Sequence, residues 1–476
     1  MLEENLTSGV RTLRGDPRKA IVKLSAPMVV ANVVQAVYNL ADGIWVAGLG
    51  ADALAGVGLF FPFFMIMLSL AAGMAIGGSA AVSRRIGARD KAGSDSAAVH
   101  TLAIGLGIAV TLTLVCYPLL SHIFRGTGVR GPVLELTLQY GRILVAGSVL
   151  LVFSNLANGI LRGEGDSQRA MLAMVLGSLL NIGLDPLFIY TLGMGIAGAA
   201  WATLLSIGLS AVLMGYWIFV RRSTYVRIRV RAFRYDGRIA AEILRVGVPA
   251  SFAQLSMAAA MFVLNAIVVR AGGTDGVAIF TSAWRIIMFG LVPLFGIATG
   301  VTAVTGAAYG ARDVEKLRTG YFYGIEVGLA IEGAVFVSIL LLAPRLAYLF
   351  TYAEKSSHLA RDLSHAMRIL ACFLPTVPLG MLTGSMFQGI GKGENSLAVT
   401  VLRTLVLQIA FGYLLGLSFA LGLEGVWWGI VSGNVLAALV SFLWGRYTVR
   451  RLEKRLVSAT VSSEAEVVAP KGRAGL

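Results

Sequence analysis

The chain is dominated by long runs of mostly apolar residues, separated by short polar segments. Twelve such runs are present, at 24–49, 53–83, 97–124, 133–160, 170–192, 194–220, 243–270, 275–308, 319–343, 363–391, 396–420 and 422–445. About 20 apolar residues in a helix are enough to span the hydrocarbon core of a bilayer. The pattern therefore predicts an all-α membrane protein with twelve transmembrane helices, numbered 1 to 12 in chain order.

The polar segments divide the chain into five predicted parts. These are a leader (1–23), a first lobe with helices 1 to 6 (24–220), a basic linker (221–242), a second lobe with helices 7 to 12 (243–447) and a tail (448–476). The leader has no apolar core before Ile21, so it is interpreted as a cytoplasmic segment rather than a signal peptide. The tail after Lys454 is expected to be unstructured, and no function is predicted for it.

Composition and charge agree with a membrane location. The chain is 57% hydrophobic and 14% charged, whereas soluble domains contain about 25% charged residues. Of its 40 lysines and arginines, 31 fall on the side of the predicted bundle that carries both termini, and 8 fall on the other side. The positive-inside rule then predicts a multi-pass protein of the cell (inner or plasma) membrane with both termini cytoplasmic. The net charge of +15 follows mostly from this topology, and no nucleic-acid partner is expected.

The sequence disfavours several kinds of chemistry. The phosphate-binding signature GxxxxGK[ST] is absent, so no ATPase is indicated, and neither an enzymatic activity nor a cofactor is expected. The two cysteines, Cys116 and Cys372, lie in separate apolar runs without metal-binding spacing, and a disulfide is not expected. The four histidines lie near the ends of the runs and are expected on the surface.

The second half of the chain repeats the first. The tetrapeptide GARD occurs at 87–90 and again at 310–313, and GIAGAAWA at 195–202 is echoed by GLEGVWWG at 422–429. Ordered matches of this kind predict two six-helix lobes in the same orientation, related by an internal repeat. Transporters with such repeats place their substrate site between or inside the lobes.

Polar residues recur at helical spacing on one face of four helices in the first lobe. These faces belong to helix 1 (Gln35, Tyr38, Asp42), helix 4 (Asn155, Asn158), helix 5 (Met174, Ser178, Asn181, Asp185) and helix 6 (Thr203, Ser206, Ser210). Within a bilayer such faces must turn toward other helices or toward water. A single stripe usually stabilises helix packing, but two carboxylates at matching depth, each with aligned polar neighbours, favour a functional site.

Asp42 and Asp185 carry the strongest functional signal. A carboxylate deep in a membrane helix costs about 2.5–3.5 kcal/mol on insertion scales. The repeat places Asn265 opposite Asp42, and Phe411 or Gly412 opposite Asp185, so the fold itself does not require these charges. Counted from the side of the termini, both aspartates fall in the outer half of the first lobe.

Further oxygen atoms are expected beside these carboxylates. Pro186 follows Asp185 and lacks an N–H, so the carbonyl of Ile182 is expected to lose its helical partner. With Asn181 and Thr203, this carbonyl would complete an oxygen-rich site suited to a hard cation such as Na⁺. Proton transport needs only a buried carboxylate, so the sequence leaves the choice between H⁺ and Na⁺ open.

Together these features resemble the MATE family (multidrug and toxic compound extrusion) of the MOP superfamily, in its DinF-like prokaryotic branch. The resemblance rests on the duplicated six-helix plan, on Pro27 and Asp42 in helix 1, and on the segments NGILRGEGDS (158–167) and NIGLDPLFIY (181–190). It covers roughly residues 20–450. The other bacterial branch carries acidic residues in helices 7 and 10, and this sequence has none there.

The resemblance implies a secondary active exporter of amphipathic, often cationic compounds, in antiport with H⁺ or Na⁺. The implied cation-coupling residues, which would also be the ligands of a bound Na⁺, are Asp42, Asn181, Asp185 and Thr203. The implied drug contacts are Gln35, Tyr38, Asn155, Asn158 and Met174, to which the stripe on helix 5 adds Ser178, and the implied conformational hinge is Pro27. The expected partners are small-molecule drugs or toxic organic compounds and the lipid bilayer, and a monomer is expected.

A lipid-linked oligosaccharide flippase of the same superfamily is the alternative interpretation. Such a protein is expected to line its central cavity with several cations for a pyrophosphate group, and the helices here offer little beyond Arg285. In helix 9, Glu326 and Glu332 lie six residues apart and therefore do not share a face. No second carboxylate site is predicted there.

Overall fold

The computed structural model describes residues 6–228, 233–352 and 354–468, and no strand occurs within these ranges. The helices are α1 (Ser8–Arg14), α2 (Pro17–Ala47), α3 (Ala51–Gly87), α4 (Lys91–Gly126), α5 (Pro132–Ala146), α6 (Ser148–Gly163), α7 (Ser167–Pro186), α8 (Gly195–Gly215), α9 (Gly237–Gly310), α10 (Val314–Thr351), α11 (Ala360–Ala371), α12 (Val377–Gly389), α13 (Gly393–Val401), α14 (Ile409–Tyr413) and α15 (Gly422–Val468). Short π-helical stretches prolong α7 (Leu187–Thr191) and α8 (Tyr216–Val220) and flank α14 (Leu402–Gln408, Leu414–Ser418).

Twelve membrane spans can be counted in the described residues. Ten helical segments are long and apolar enough to cross a bilayer, and α5 with α6 forms an eleventh span, bent by 50°. The 74-residue α9 contains two spans, because Gly272 and Gly273 leave helical geometry in its middle (φ −151° and 60°). Glycine adopts a positive φ without the steric cost that other residues meet. The predicted all-α, twelve-helix fold is confirmed.

The internal repeat is visible in backbone detail. In both copies of GARD the arginine adopts a left-handed conformation, with φ of 59° at Arg89 and 56° at Arg312. The next residue in each copy, Asp90 or Asp313, caps the following helix through a hydrogen bond from a backbone N–H three residues later (2.8 and 2.9 Å). An N-cap carboxylate of this kind satisfies one of the free donors at a helix start. The same chain reversal therefore occurs after α3 and after α9.

The lobes meet on the side of the bundle where α2 begins and α15 ends, which we name the terminal face. Successive spans alternate in direction, so the loops after α3, α6, α8, α9 and α12 also lie there. Gly87 at the end of α3 packs against the backbone of Ala307 in α9, and Gly310 at the end of α9 packs against the backbone of Arg84 in α3. These equivalent glycines allow the lobes to close on the terminal face.

The linker between the lobes is anchored to buried side chains of the first lobe. The N–H of Val226 donates to the carboxylate of Glu164 (3.0 Å), and the N–H of Asp236 donates to Nε2 of His100 (2.9 Å). Burial raises the pKa of Glu164 to about 8, although the hydrogen bond from Val226 opposes this shift. His100 is 1% exposed, so the expectation of a surface location is wrong for this histidine, which binds the linker backbone.

Three helix ends differ from those expected from hydropathy. Helix α2 begins at Pro17 rather than near residue 24, and α9 begins at Gly237 rather than near 243. Each has an additional polar turn with an N-cap aspartate, which accepts a hydrogen bond from a backbone N–H at 2.8 Å, and capping does not depend on apolar composition. Helix α15 continues to Val468, so the expectation of an unstructured chain directly after Lys454 is wrong.

Candidate functional site

A buried polar cluster lies at the end of the fifth span. Asp185 in α7 is fully buried, and its Oδ1 has no hydrogen-bond partner among the described residues. Its Oδ2 accepts a hydrogen bond from the side-chain amide of Asn181 (2.8 Å), whose amide oxygen accepts one from the backbone N–H of Thr203 (3.2 Å). In this orientation of the Asn181 amide, both its nitrogen and its oxygen form a hydrogen bond. Asn181 thus joins α7 to α8 and fixes one oxygen of the carboxylate.

The first span adds a second carboxylate to this cluster. Asp42 lies near the end of α2, and its Oδ1 is buried with no hydrogen-bond partner in the part of the chain that the structure describes. Asp42 and Asp185 lie close enough to interact electrostatically, and two neighbouring buried carboxylates favour a proton on one of them. Tyr38, one turn earlier on α2, interacts electrostatically with both carboxylates and lies near Thr203. The structure thus brings together all four residues predicted for cation coupling.

The chemistry of the cluster fits a small cation. Asp42 and Asp185 each bury an oxygen without a partner, and neither forms an ion pair with a described lysine or arginine. An unpaired negative charge inside a membrane protein is unfavourable, so a proton or a metal cation would stabilise the pair. The hydroxyls of Tyr38 and Thr203 supply the further oxygen ligands that Na⁺ would need. The described residues contain no group of three or more His, Cys, Asp or Glu suited to a metal.

Some predicted drug contacts lie at a different level, nearer the terminal face. Met174 precedes Asp185 by three turns of α7, about 16 Å along the helix axis, and packs beside the buried cluster that contains Met28. Asn158 is buried and donates its amide to the carbonyl of Ala170 (3.1 Å), so it joins α6 to α7. Asn158 therefore has a packing role, and its contact with a substrate stays a prediction.

The other predicted residues are placed on the expected elements but are not joined to the cluster by hydrogen bonds. Asn155 donates its amide to the carbonyl of Leu151 in its own helix (2.9 Å). Ser178 is buried on α7, whereas Gln35 on α2 is half-buried. Helix α2 passes Pro27 without a break. The proposed drug contacts and the hinge at Pro27 thus stay predictions.

Tyr140 belongs to the cluster but was not predicted from the sequence. It lies on α5, is 8% exposed, and interacts electrostatically with Asp42, Asp185 and Tyr38. Its ring meets that of Phe60 edge to face, with centroids 5.6 Å apart. A single tyrosine in an apolar helix forms no polar stripe, so periodicity gave no signal for it.

An ion-pair network closes the lobes on the terminal face. The guanidinium of Arg84, on α3, donates to the carboxylate of Glu242 on α9 (2.9 Å) and to the carbonyl of Gly389 at the end of α12 (3.0 Å). Arg85 contacts the other carboxylate oxygen of Glu242 at 2.6 Å. Arg84 is only 6% exposed, whereas the side chain of Glu242 is 34% exposed, so the network is partly shielded from solvent. It links the first lobe to two helices of the second.

A protein-family model described as MatE matches residues 27–187 and 249–414, one segment in each half of the chain. The chain is 23% identical over 428 residues to the multidrug export protein MepA of Staphylococcus aureus (strain bovine RF122 / ET3-1), covering 89% of this chain and 92% of the relative.

Two solved structures are similar over nearly the whole chain. One is an outward-facing conformation of a multidrug resistance MATE family transporter of the MOP superfamily, with 56% identity, a TM-score of 0.92, and 95% of this chain and 100% of that chain covered. The other is a MOP superfamily transporter from Pyrococcus furiosus, described as having a binding pocket of reverse polarity that suggests a different function. It is 56% identical, with a TM-score of 0.91, and 94% of this chain and 100% of that chain are covered.

Proposed function

The chain belongs to the MatE family of membrane transporters, and from this premise we propose that it exports amphipathic, cationic compounds in antiport with H⁺ or Na⁺. Similarity to MepA, a multidrug export protein, supports the export of drugs. The proposed location is the cell membrane, with the terminal face in the cytoplasm. The strong excess of lysine and arginine on that face supports this orientation.

The observation that carries the proposal is the carboxylate pair Asp42 and Asp185. Each has an oxygen without a partner among the described residues, so the pair is most stable when a cation neutralises it. A cationic substrate in the same lobe would compete for this negative charge. Binding of H⁺ or Na⁺ would therefore weaken the attraction for the substrate, and this competition is the physical basis of antiport.

In the proposed cycle the lobe first holds the substrate against Met174 and Asn158, with the face opposite the termini open. A proton or Na⁺ then binds at Asp42 and Asp185 and neutralises them. Helix α2 shifts near Pro27, the cavity narrows, and the substrate leaves. A ligand changes a conformational equilibrium only through its different affinities for the two states, and here the cation favours the state that has released the drug.

To reach the state that is open on the terminal face, the lobes must separate on that face. The contacts of Arg84 and Arg85 with Glu242 would break, and the close backbone contacts at Gly87 and Gly310 would separate. The cation could then leave toward the terminal face. Because each lobe is a compact six-helix unit, the proposed change is a rocking motion of the lobes.

The test is transport by the purified chain in proteoliposomes. We expect ethidium, a cationic dye, to be moved when a pH gradient or a Na⁺ gradient is imposed, and not after ionophores collapse both gradients. An anionic dye, carboxyfluorescein, is the comparison substrate. Movement of the anion but not of ethidium would overturn the proposed substrate class, in line with the different function suggested for the relative from Pyrococcus furiosus. Transport that ignores both gradients would overturn antiport.

A further inference from the structure

A cavity of about 750 Å³ lies on the terminal face, between the first turn of α2, the start of α10 and the end of the membrane-spanning part of α15. Ligand pockets typically occupy about 300–1,000 Å³. The cavity is distinct from the polar cluster of the first lobe, because its walls come from α2 on one side and from two helices of the second lobe on the other. A ligand bound here would therefore contact both lobes.

Four arginines dominate the walls of this cavity. They are Arg18 on α2, Arg318 on α10, and Arg446 and Arg450 on α15. Arg318 forms an ion pair with Glu453 at 3.5 Å. The other three have no described carboxylate within 4.0 Å, although the guanidinium of Arg18 lies 5.8 Å from the ring centroid of Tyr323. Three arginines thus line one cavity without an anionic partner among the described residues.

Two further carboxylates line the cavity, and their positions determine whether an anionic ligand is favoured there. Glu315 lies in the first turn of α10, and Glu326 lies three turns further along this helix. Because Glu326 is about 12 Å deeper than Arg318, it does not offset the arginines at the cavity mouth. The whole lining carries four arginines and three glutamates, and with Glu326 at the deep end the charge near the start of α10 is positive.

The surface just below the arginines is apolar and exposed. Val22 follows Arg18 by one turn of α2 and is 48% exposed, and Leu443 precedes Arg446 by about one turn of α15 and is 62% exposed. Along their helices, both lie on the membrane side of the arginines. A ring of cations above exposed apolar side chains matches a molecule with an anionic head and an apolar tail.

We propose that this cavity binds the headgroup of one anionic phospholipid, of the phosphatidylglycerol class. The phosphodiester accepts hydrogen bonds from the arginine guanidinium groups, which suit phosphate oxygens because they can donate in pairs. The acyl chains lie along the apolar surface formed by α2 and α15. Basic pockets between membrane helices are known binding sites for lipid phosphates. A zwitterionic headgroup would add an ammonium group among the arginines and fit less well.

The experiment measures lipid binding to the full-length protein after delipidation in mild detergent. The probes are dioleoyl phosphatidylglycerol, dioleoyl phosphatidylethanolamine and inorganic phosphate, and the readouts are native mass spectrometry and the lipid-dependent rise in melting temperature. The test variant replaces Arg18, Arg446 and Arg450 with glutamine. The matched control replaces three other arginines of the terminal face, Arg221, Arg227 and Arg238, with glutamine, so both variants lose the same charge.

We expect the wild type and the control to retain one phosphatidylglycerol and the test variant to bind it on the order of 100-fold more weakly, about fivefold for each arginine. A second variant with lysine at the same three positions keeps the charge but loses paired donation, and we expect intermediate binding. The proposal is overturned if the control loses the lipid equally, or if phosphatidylethanolamine binds as tightly. It is also overturned if inorganic phosphate alone gives the same thermal stabilisation, since the ligand would then be a free anion.

Discussion

Substitution of Gly310 by alanine tests whether the lobes close as the structure describes. A Cβ on Gly310 would lie 2.6 Å from the carbonyl carbon of Arg84, and a Cβ on Gly87 would lie 2.6 Å from that of Ala307. Ordinary van der Waals contact begins at 3.4 Å. The carbonyl oxygens of Arg84 and Ala307 would lie nearer still, so the two backbones would have to separate by well over 0.8 Å at each contact.

In the proposed rocking motion, the cost of this separation falls on one conformation only. Overpacking of a close contact typically costs about 1–3 kcal/mol, and the contact exists only while the lobes are closed on the terminal face. The equilibrium between the closed and open terminal face should therefore shift toward the open state by about 5- to 150-fold in Gly310→Ala. Gly87→Ala should act in the same direction, because the repeat places it in the equivalent contact.

The assay measures distances between spin labels at exposed positions of the two lobes, Gln168 and Arg318, in lipid nanodiscs, after replacement of Cys116 and Cys372. Gly107→Ala is the matched control, because a Cβ there would meet no atom within 4 Å. We expect the longer distance to gain population in Gly310→Ala and not in the control. An unchanged distance distribution in Gly310→Ala, or an equal shift in the control, would show that this contact does not hold the terminal face closed.

Three further substitutions test other contacts. Glu242→Gln removes the ion pairs that hold Arg84 and should also open the terminal face, by the same distance measurement; an unchanged distribution contradicts this. Glu164 has a pKa of about 8 in the folded protein against 4.5 for the free group. The folded state thus holds a proton that the unfolded chain releases, and thermal stability should fall as pH rises from about 4.5 to about 8. Glu164→Gln should flatten this slope, and equal slopes refute the assignment. Tyr140→Phe keeps the packing on Phe60 but removes the hydroxyl near the carboxylates, and gradient-driven efflux should fall several-fold at unchanged melting temperature; wild-type efflux would exclude a role for the hydroxyl.

The spans, the repeat and the polar cluster were predictable because the bilayer restricts the structures that a membrane-embedded sequence can adopt. Backbone groups in hydrocarbon must be satisfied within helices, so apolar runs translate directly into spans. Asp42 and Asp185 are separated by 143 positions in sequence, yet each lies on a polar face that must turn inward. Two polar faces that turn inward in the same lobe and at the same depth are expected to contact each other.

The remaining features depend on contacts that no local pattern encodes. Tyr140 joins the cluster because of how α5 packs, and a lone tyrosine has no helical period to reveal this. The duplicated GARD segments predicted a repeat. They did not predict that Gly87 and Gly310 would form equivalent contacts between the lobes. His100 was expected on the surface because it lies near a helix end, whereas the linker covers it and uses its ring nitrogen as an acceptor.

The central claim is that Asp42 binds the coupling cation, and the most direct test compares Asp42→Asn with Asp52→Asn in proteoliposomes. Asp52 is exposed in the first turn of α3 and has no described ion pair, so it controls for the loss of one aspartate. We measure ethidium transport under an imposed gradient and ethidium exchange without a gradient. We expect Asp42→Asn to lose gradient-driven transport but to retain exchange, and Asp52→Asn to behave as the wild type. Gradient-driven transport at the wild-type rate in Asp42→Asn would contradict the account.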